Sequence, residues 1–405
     1  MSDKIIPVQD GSITSSRGFQ AGAIYAGINK HPPFGMDLAL LYSDSPCKAT
    51  ALFTTNKVKA APVLICQSRL PSSCIQALVV NSGVANACTG EQGIKAAQRM
   101  AELAAEKVGI SPNCALPMST GVIGRTIPED LIAQHLPSIN LSHEGGKDFA
   151  RAIMTTDTRP KEIAIRVKDG DDEYIIAGAA KGAGMICPNM ATTLCFITTD
   201  ANIELEALTS CLKHSADKSL NMISVDGDTS TNDTLLIMAN GMAENQLIKA
   251  GSSQVNLFQQ ALDEVCIYLA RAIVSDGEGA TRIITVNING ASTEKDARIA
   301  AKAVVNSNLV KTAIHGADPN WGRIISAVGI SGAHFDVYQA SLIIGDVIIW
   351  QRGKLVDFDQ SLLRSKLNDE EVVIDLDMHL GTGSATAWGC DMSEEYVTIN
   401  SEYTT

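Results

Sequence analysis

The sequence predicts an α/β fold, mixed sheets covered by helices in an α/β or α+β layering, on three observations. Strand and helix signals alternate along the whole length, no low-complexity segment or Pro/Gly/Ser-rich linker interrupts them, and no internal repeat of fixed period is visible. With 405 residues, 45% of them hydrophobic and 19% charged, the chain has ample material for a core. That is two or three domain-sized units or one large layered unit, and neither a disordered nor a fibrous class fits.

The elements follow in order. Residues 75–81 (IQALVVN) read as a buried strand, and 91–108 as a helix with Ile94, Ala97, Ala101, Ala104, Ala105 and Val108 on one face and Gly109 as its stop. Residues 162–168 and 173–179 read as two strands joined by the turn Asp169-Gly170-Asp171-Asp172. A strand near 194–198 precedes a helical stretch at 204–218. The clearest helix is 254–274, where Phe258, Leu262, Val265, Cys266, Leu269 and Ile273 recur at helical spacing before Asp276-Gly277-Glu278-Gly279 ends it. An Ala-rich helix near 293–306, a strand-rich hairpin near 336–350, a short helix near 360–368 and a strand near 371–377 complete the reading.

Composition removes several functions. The formal net charge is -13, no block of Lys or Arg offsets it, and 8 Phe, 7 Tyr and 3 Trp leave few stacking platforms, so nucleic acid is excluded as a partner. No run of 18 apolar residues occurs, which excludes a membrane-spanning helix, and the N-terminal residues carry neither a signal nor a transit pattern; a cytoplasmic location with reduced thiols is expected. The 10 cysteines include no CxxC pair and no Cys/His spacing of a zinc site, so no metal is expected. GxGxxG with a distal acid, the P-loop, HExxH, the EF-hand loop and GxSxG are all missing, and no cofactor is expected. His315 stands beside the unusual run Gly316–Arg323 but reads as structural, and Leu380-Gly381-Thr382-Gly383-Ser384 reads as a turn.

What remains is the stretch 181–200, KGAGMICPNMATTLCFITTD, an irregular loop rich in Gly that becomes strand-like from Thr192. A small residue, Ala191, thus precedes a threonine at a loop-to-strand junction. A threonine hydroxyl needs a base, and the threonine's own α-amino group, with an unperturbed pKa of about 8, is one where the chain is cut immediately before it. The cut can be self-made by attack of Thr192 Oγ on the Ala191 carbonyl. By composition alone, Thr192 and Thr193 read as ordinary β-branched residues entering a strand.

Lys181 to Thr192 resembles the self-cleavage motif of the ornithine acetyltransferase family, also called glutamate N-acetyltransferase, of arginine biosynthesis. Further segments match in family order over nearly the whole chain: Asn81–Gly83, Ser119–Gly124, Met154–Thr158, Ser224–Asp228, Asp276–Thr281, Asp318–Arg323 and Asn400–Thr405. Cys187 lies at a variable position, and Thr193 stands where methionine is more usual. The resemblance implies that Thr192 is the nucleophile, acetylated on Oγ, with its free amine as base, and that the Thr120 hydroxyl and Gly121 N–H form the oxyanion hole. It implies substrate binding by Thr155, Lys181, Thr192, Glu278, Asn400 and Thr405, with Lys181 suited to an α-carboxylate and Glu278 to an ammonium group. Without it, Lys181 reads as a surface lysine, Glu278 as a helix-end residue, and Thr120-Gly121 as a turn.

The implied reaction is a ping-pong transfer of acetyl from N-acetylornithine to glutamate, leaving open whether acetyl-CoA also donates. The implied fold is a layered α/β sandwich of the self-cleaved N-terminal-nucleophile kind with helices outside two sheets. Fragments 1–191 (α) and 192–405 (β) stay together and pair into a heterotetramer. Two alternatives share some of these residues: a self-processing aminopeptidase or amidase that gives its acyl group to water, and an uncleaved amino-acid-binding protein in which Thr192 is structural.

Overall fold

The computed structural model describes residues 4–187 and 193–402. The chain enters through β1 (Ile5–Pro7), β2 (Phe19–Ile24) and β3 (Leu38–Phe53), then α1 (Ala61–Arg69), β4 (Ser72–Asn81), α2 (Gly90–Val108), β5 (Ala115–Ser119), α3 (Glu129–His135) and α4 (Gly146–Ala152). The hairpin β6 (Lys161–Asp169) and β7 (Asp172–Lys181) follows, then β8 (Leu194–Thr199), α5 (Leu205–Lys218), β9 (Ile223–Ser224), β10 (Thr234–Ala239) and α6 (Ser253–Val274). The last part holds β11 (Ile283–Ala291), α7 (Glu294–Val305), α8 (Asn308–His315), α9 (Gly322–Gly329), β12 (Ser341–Ile344), β13 (Val347–Gln351), β14 (Lys354–Leu355), α10 (Gln360–Lys366), β15 (Glu371–Asp377), β16 (Gly383–Cys390) and α11 (Glu394–Glu402).

The strands form two mixed sheets. The larger runs β1-β6-β7-β8-β10-β3-β4-β5, with β2 also on β3; the smaller runs β14-β13-β12-β15-β11-β16-β9. In the larger sheet β8 and β10 are parallel to each other and antiparallel to β7 and β3 on their outer sides. Strands that follow residue 191 therefore fill the middle of a sheet whose flanks precede it.

Local sequence explains these elements. β8 (LCFITT) and β10 (TLLIMA) are buried at every position, because both faces of the sheet are covered and a continuous apolar run is then tolerated. α2 buries Ala97, Ala101, Ala104 and Ala105 and stops at Gly109, whose φ of 74° lets its N–H return to the Ala105 carbonyl. β6 and β7 pair from Asp169 opposite Asp172 around a two-residue turn with Gly170 at φ 67°. Thr293 caps α7 by accepting from the Asp296 N–H.

Helices cover both sheets, with one difference from the expected layering. α6 lies between the sheets rather than outside them: it packs on β6 and β7 and also meets β9 and β16. Its residues Phe258, Leu262, Val265, Cys266, Leu269 and Ile273 are all fully buried in the largest core cluster. The expected hairpin at 336–350 is shorter than read, because Asp336 accepts from the Tyr338 N–H and Gln339 side chain and holds 336–340 in a turn before β12 begins. Among the described residues no helix is long and apolar enough to cross a membrane, and no group of three or more His, Cys, Asp or Glu is arranged to hold a metal.

Candidate active site

A cavity of about 400 Å³ opens where the ends of β5 and β7 meet the loops after α4 and α6. Thr120, Gly121, Thr155, Lys181, Glu278 and Asn400 all line it. These six come from five separate stretches of sequence and include every expected site residue that the structure describes. Ala191, Thr192 and Thr405 lie outside the described residues. Arg125, Ser230, Thr231 and Asn232 also line the cavity and were not singled out in the sequence.

The oxyanion-hole candidates sit on a loop with little freedom. β5 ends at Ser119, whose hydroxyl donates to Asn81 Oδ1 at 2.6 Å, and the Asn232 amide donates to the carbonyls of Ser119 and Ala85, both at 2.7 Å. The Thr120 and Val122 N–H groups bond to Asn81 and Gly83 carbonyls. Gly121 between them has φ 130°, and a Cβ there would meet the Gly83 carbonyl carbon at 2.2 Å, so only glycine fits. Its own N–H has no partner among the described residues.

Lys181 links this loop to the next. Its Nζ donates to Thr155 Oγ1 at 2.7 Å and to Thr120 Oγ1 at 3.3 Å. An ammonium only donates, so both hydroxyls accept from it and keep their own protons to give elsewhere. For Thr120 that is the polarity an oxyanion hole requires. Burial lowers the Lys181 pKa from its ordinary value, opposed by the nearby Asp157 carboxylate.

Behind Lys181 lies an ion cluster that the sequence reading missed. Lys161 Nζ is 2.6 Å from Asp157 Oδ1 and 2.6 Å from Asp276 Oδ2, with all three side chains buried. Asp157 Oδ1 also accepts from the Gly182 N–H at 2.6 Å, fixing the start of the loop toward residue 188. Burial would push the Asp157 carboxyl up, but the Lys161 and Lys181 charges with the Gly182 hydrogen bond outweigh it and hold it at about 2. Asp157 and Asp276 belong to the matching segments Met154–Thr158 and Asp276–Thr281, so the signal was present without a role attached. Asp226, from Ser224–Asp228, likewise accepts from the Met185 and Ile186 N–H groups at 2.6 and 2.9 Å.

Glu278 forms the opposite wall. Its N–H donates to the Ala183 carbonyl, and Oε2 accepts from the Asn400 amide of α11 at 2.6 Å. A Cβ on Gly184 would come within 2.4 Å of the Glu278 carboxyl, so the second glycine of the motif makes room for this acid. Cation on one side, carboxylate on the other and hydroxyls between suit a small zwitterion. By contrast, His315 is engaged elsewhere, 2.7 Å from Asp391 and 3.3 Å from Glu394, and Leu380–Thr382 lie in the turn from β15 to β16, with Gly383 and Ser384 opening β16.

The ArgJ family model matches residues 20–405. The arginine biosynthesis bifunctional protein ArgJ of Dehalococcoides mccartyi is 52% identical over 405 residues, all of both chains. The chain belongs to the ArgJ family. It is an acetyl-transferring enzyme of arginine biosynthesis. Among solved structures, arginine biosynthesis bifunctional protein ArgJ from Bacillus halodurans is 41% identical with a TM-score of 0.50, covering 51% of this chain and 98% of that one. Ornithine acetyltransferase complexed with ornithine from Mycobacterium tuberculosis is 35% identical with a TM-score of 0.43, covering 46% of this chain and 100% of that one.

Proposed function

We propose that this ArgJ family member cleaves itself between Ala191 and Thr192 and then uses Thr192 to carry acetyl from N-acetylornithine to glutamate. In the cut, Thr192 Oγ bonds to the Ala191 carbonyl carbon, the C–N bond breaks and the nitrogen takes the hydroxyl proton. Water then hydrolyses the ester to an Ala191 carboxylate and a threonine with free amine and hydroxyl. In each turnover the amine takes the hydroxyl proton as Oγ attacks the acetyl carbonyl, then gives it to the departing ornithine nitrogen. Thr120 Oγ–H and Gly121 N–H hold the oxyanion, Lys181 takes the α-carboxylate and Glu278 an ammonium. Glutamate attacks the acetyl ester and leaves as N-acetylglutamate.

The observation that carries this reading is the convergence of Thr120, Gly121, Thr155, Lys181, Glu278 and Asn400 on one cavity, which Gly184 and Met185 of the motif that begins at Lys181 also line. The lone-pair arithmetic at Thr120 and the unused N–H of Gly121 support the oxyanion role. The Bacillus halodurans chain, matched over 98% of its length by 51% of this one, is about the length of a single fragment, which supports the cut. Fragments 1–191 and 192–405 would remain interleaved, since β8 and β10 sit between β7 and β3, and we expect them to assemble as a heterotetramer.

Denaturing mass spectrometry with N-terminal sequencing tests the proposal. Two wild-type fragments, the second beginning Thr-Thr-Leu-Cys, and one intact chain for Thr192→Ala are expected; an uncut wild type removes the amine base and the mechanism. With cleaved enzyme, acetyl appearing on glutamate rather than as free acetate separates transferase from amidase. Replacing N-acetylornithine by acetyl-CoA in that assay decides whether a thioester also loads Thr192.

A further inference from the structure

Two buried side-chain atoms beside the start of β8 have no hydrogen-bond partner among the described residues: Thr193 Oγ1 and Asp233 Oδ2. Asp233 is only 2% exposed. β8 and β10 are parallel with Leu194 opposite Thr234, and the Thr234 N–H donates to the Thr193 carbonyl at 2.9 Å. Asp233 therefore stands level with Thr193, one residue beyond the scissile bond. Ser230 is its hydrogen-bonding neighbour, and its carbonyl anchors the Thr54 N–H at 2.9 Å.

A buried carboxyl with an unused oxygen is costly and calls for an explanation at its site. Burial pushes the Asp233 carboxyl well above the usual carboxylate range, with Ser230 and the Lys181 charge pulling less strongly the other way. Lys181 cannot serve as its full counter-charge, because its Nζ is directed to Thr155 and Thr120. The other charges nearby are also spoken for: Asp157 and Lys161 pair with each other behind Lys181, and Glu278 across the cavity takes Asn400.

We propose that Asp233 is a positioning residue for the α-amine that cleavage before Thr192 creates, its carboxylate being the waiting counter-charge of that ammonium. This rests on the cleavage reading above. In the uncut chain the nearby nitrogen is a neutral amide and Asp233 stays protonated; after the cut, a cation appears one residue from its register partner and the pair ionises. Burial and Lys181 both weaken the amine as a base, and the Asp233 carboxylate restores it toward working pH.

The test uses full-length Asp233→Asn, checked by mass for cleavage, with kcat and KM followed against pH. Loss of the carboxylate should move the acid limb of the kcat profile down by about one pH unit or more. It should lower kcat by about tenfold or more with KM little changed. An acid limb unmoved in a cleaved, folded variant overturns the proposal. Should Asp233→Asn fail to fold or to cut, infrared difference spectra of wild type and Thr192→Ala decide instead. A carboxylic-acid carbonyl band present in uncut Thr192→Ala and absent from cleaved wild type is expected, and identical spectra in that region overturn it. A wild type that never cuts is seen first by mass, and defeats the parent reading rather than the Asp233 assignment alone.

Discussion

Lys161 and Lys181 stand at the same end of one hairpin, the first opening β6 and the second closing β7, with Lys161 opposite Ala180 in the register. They are 2% and 8% exposed. Lys161 touches two carboxylates at 2.6 Å each, whereas Lys181 touches two neutral hydroxyls. Equal burial with unequal partners separates their tasks. A cation saturated by carboxylates is a clamp, while one held by hydroxyls has no carboxylate in direct contact, which the proposed binding of a substrate carboxylate requires. Asp157 joins them, bonding Lys161 while its field reaches Lys181.

The largest expected effect falls on the clamp. Lys161→Met leaves Asp157 and Asp276 buried without their cation and should cost about 3–5 kcal/mol in denaturant unfolding. Lys181→Met should unfold near the wild-type midpoint; if it is the more destabilised, the contrast is wrong. Its effect should appear instead in kcat/KM, a loss of about 10²–10³-fold from a missing partner for the substrate carboxylate. Thr120→Val should raise the barrier by about 3 kcal/mol, read as a fall in kcat with KM nearly unchanged. An equal rise in KM would make Thr120 a ground-state contact.

Glu162, the next residue along β6, gives the smallest effect and the clearest pH signature. One of its oxygens is buried with no partner among the described residues, and burial pushes its carboxyl up to about 7 against the pull of Lys147 and Arg151. A raised carboxyl costs nothing while protonated in both states, below about pH 4.5, and its full penalty is felt above pH 7. Glu162→Gln should therefore stabilise the protein by about 2 kcal/mol at pH 8, allowing for partial exposure, and by almost nothing near pH 4.5. Asp157 tilts the other way: held at about 2, it stabilises above pH 4, and that contribution disappears as pH falls toward 2. Equilibrium unfolding across this range tests both signs.

The parts legible in the sequence were those with one buried face or a defined turn. α2 and α6 show their apolar stripe, and Gly109 and Gly170 mark their own ends. β3 was not legible, because Asp44, Pro46 and Lys48 interrupt it and its pairing with β4 shifts register around Cys47. β10 is six consecutive buried residues, a run that periodicity cannot tell from buried helix. α11 buries none of its described residues and is held by Asn400 on Glu278 and by Tyr396 on Asp226, contacts across more than a hundred residues. At the site, the Lys181–Thr192 motif is local and could be read, and resemblance supplied the distant residues. The Asp157–Lys161–Asp276 cluster and Asp233 have no spacing to betray them, since their partners are chosen by strand order.

That strand order also governs what the ribosome can release. β7 and β3 are flanks of a gap that only β8 and β10 fill, and β10 ends roughly 60 residues after β7, so at ~5–20 residues per second the nascent chain waits about 3–12 s with the inner edges of β7 and β3 open. Unpaired strand edges are templates for wrong pairing. The early half of this chain thus cannot finish folding as it emerges, and slowed elongation between β7 and β10 should lower the soluble yield.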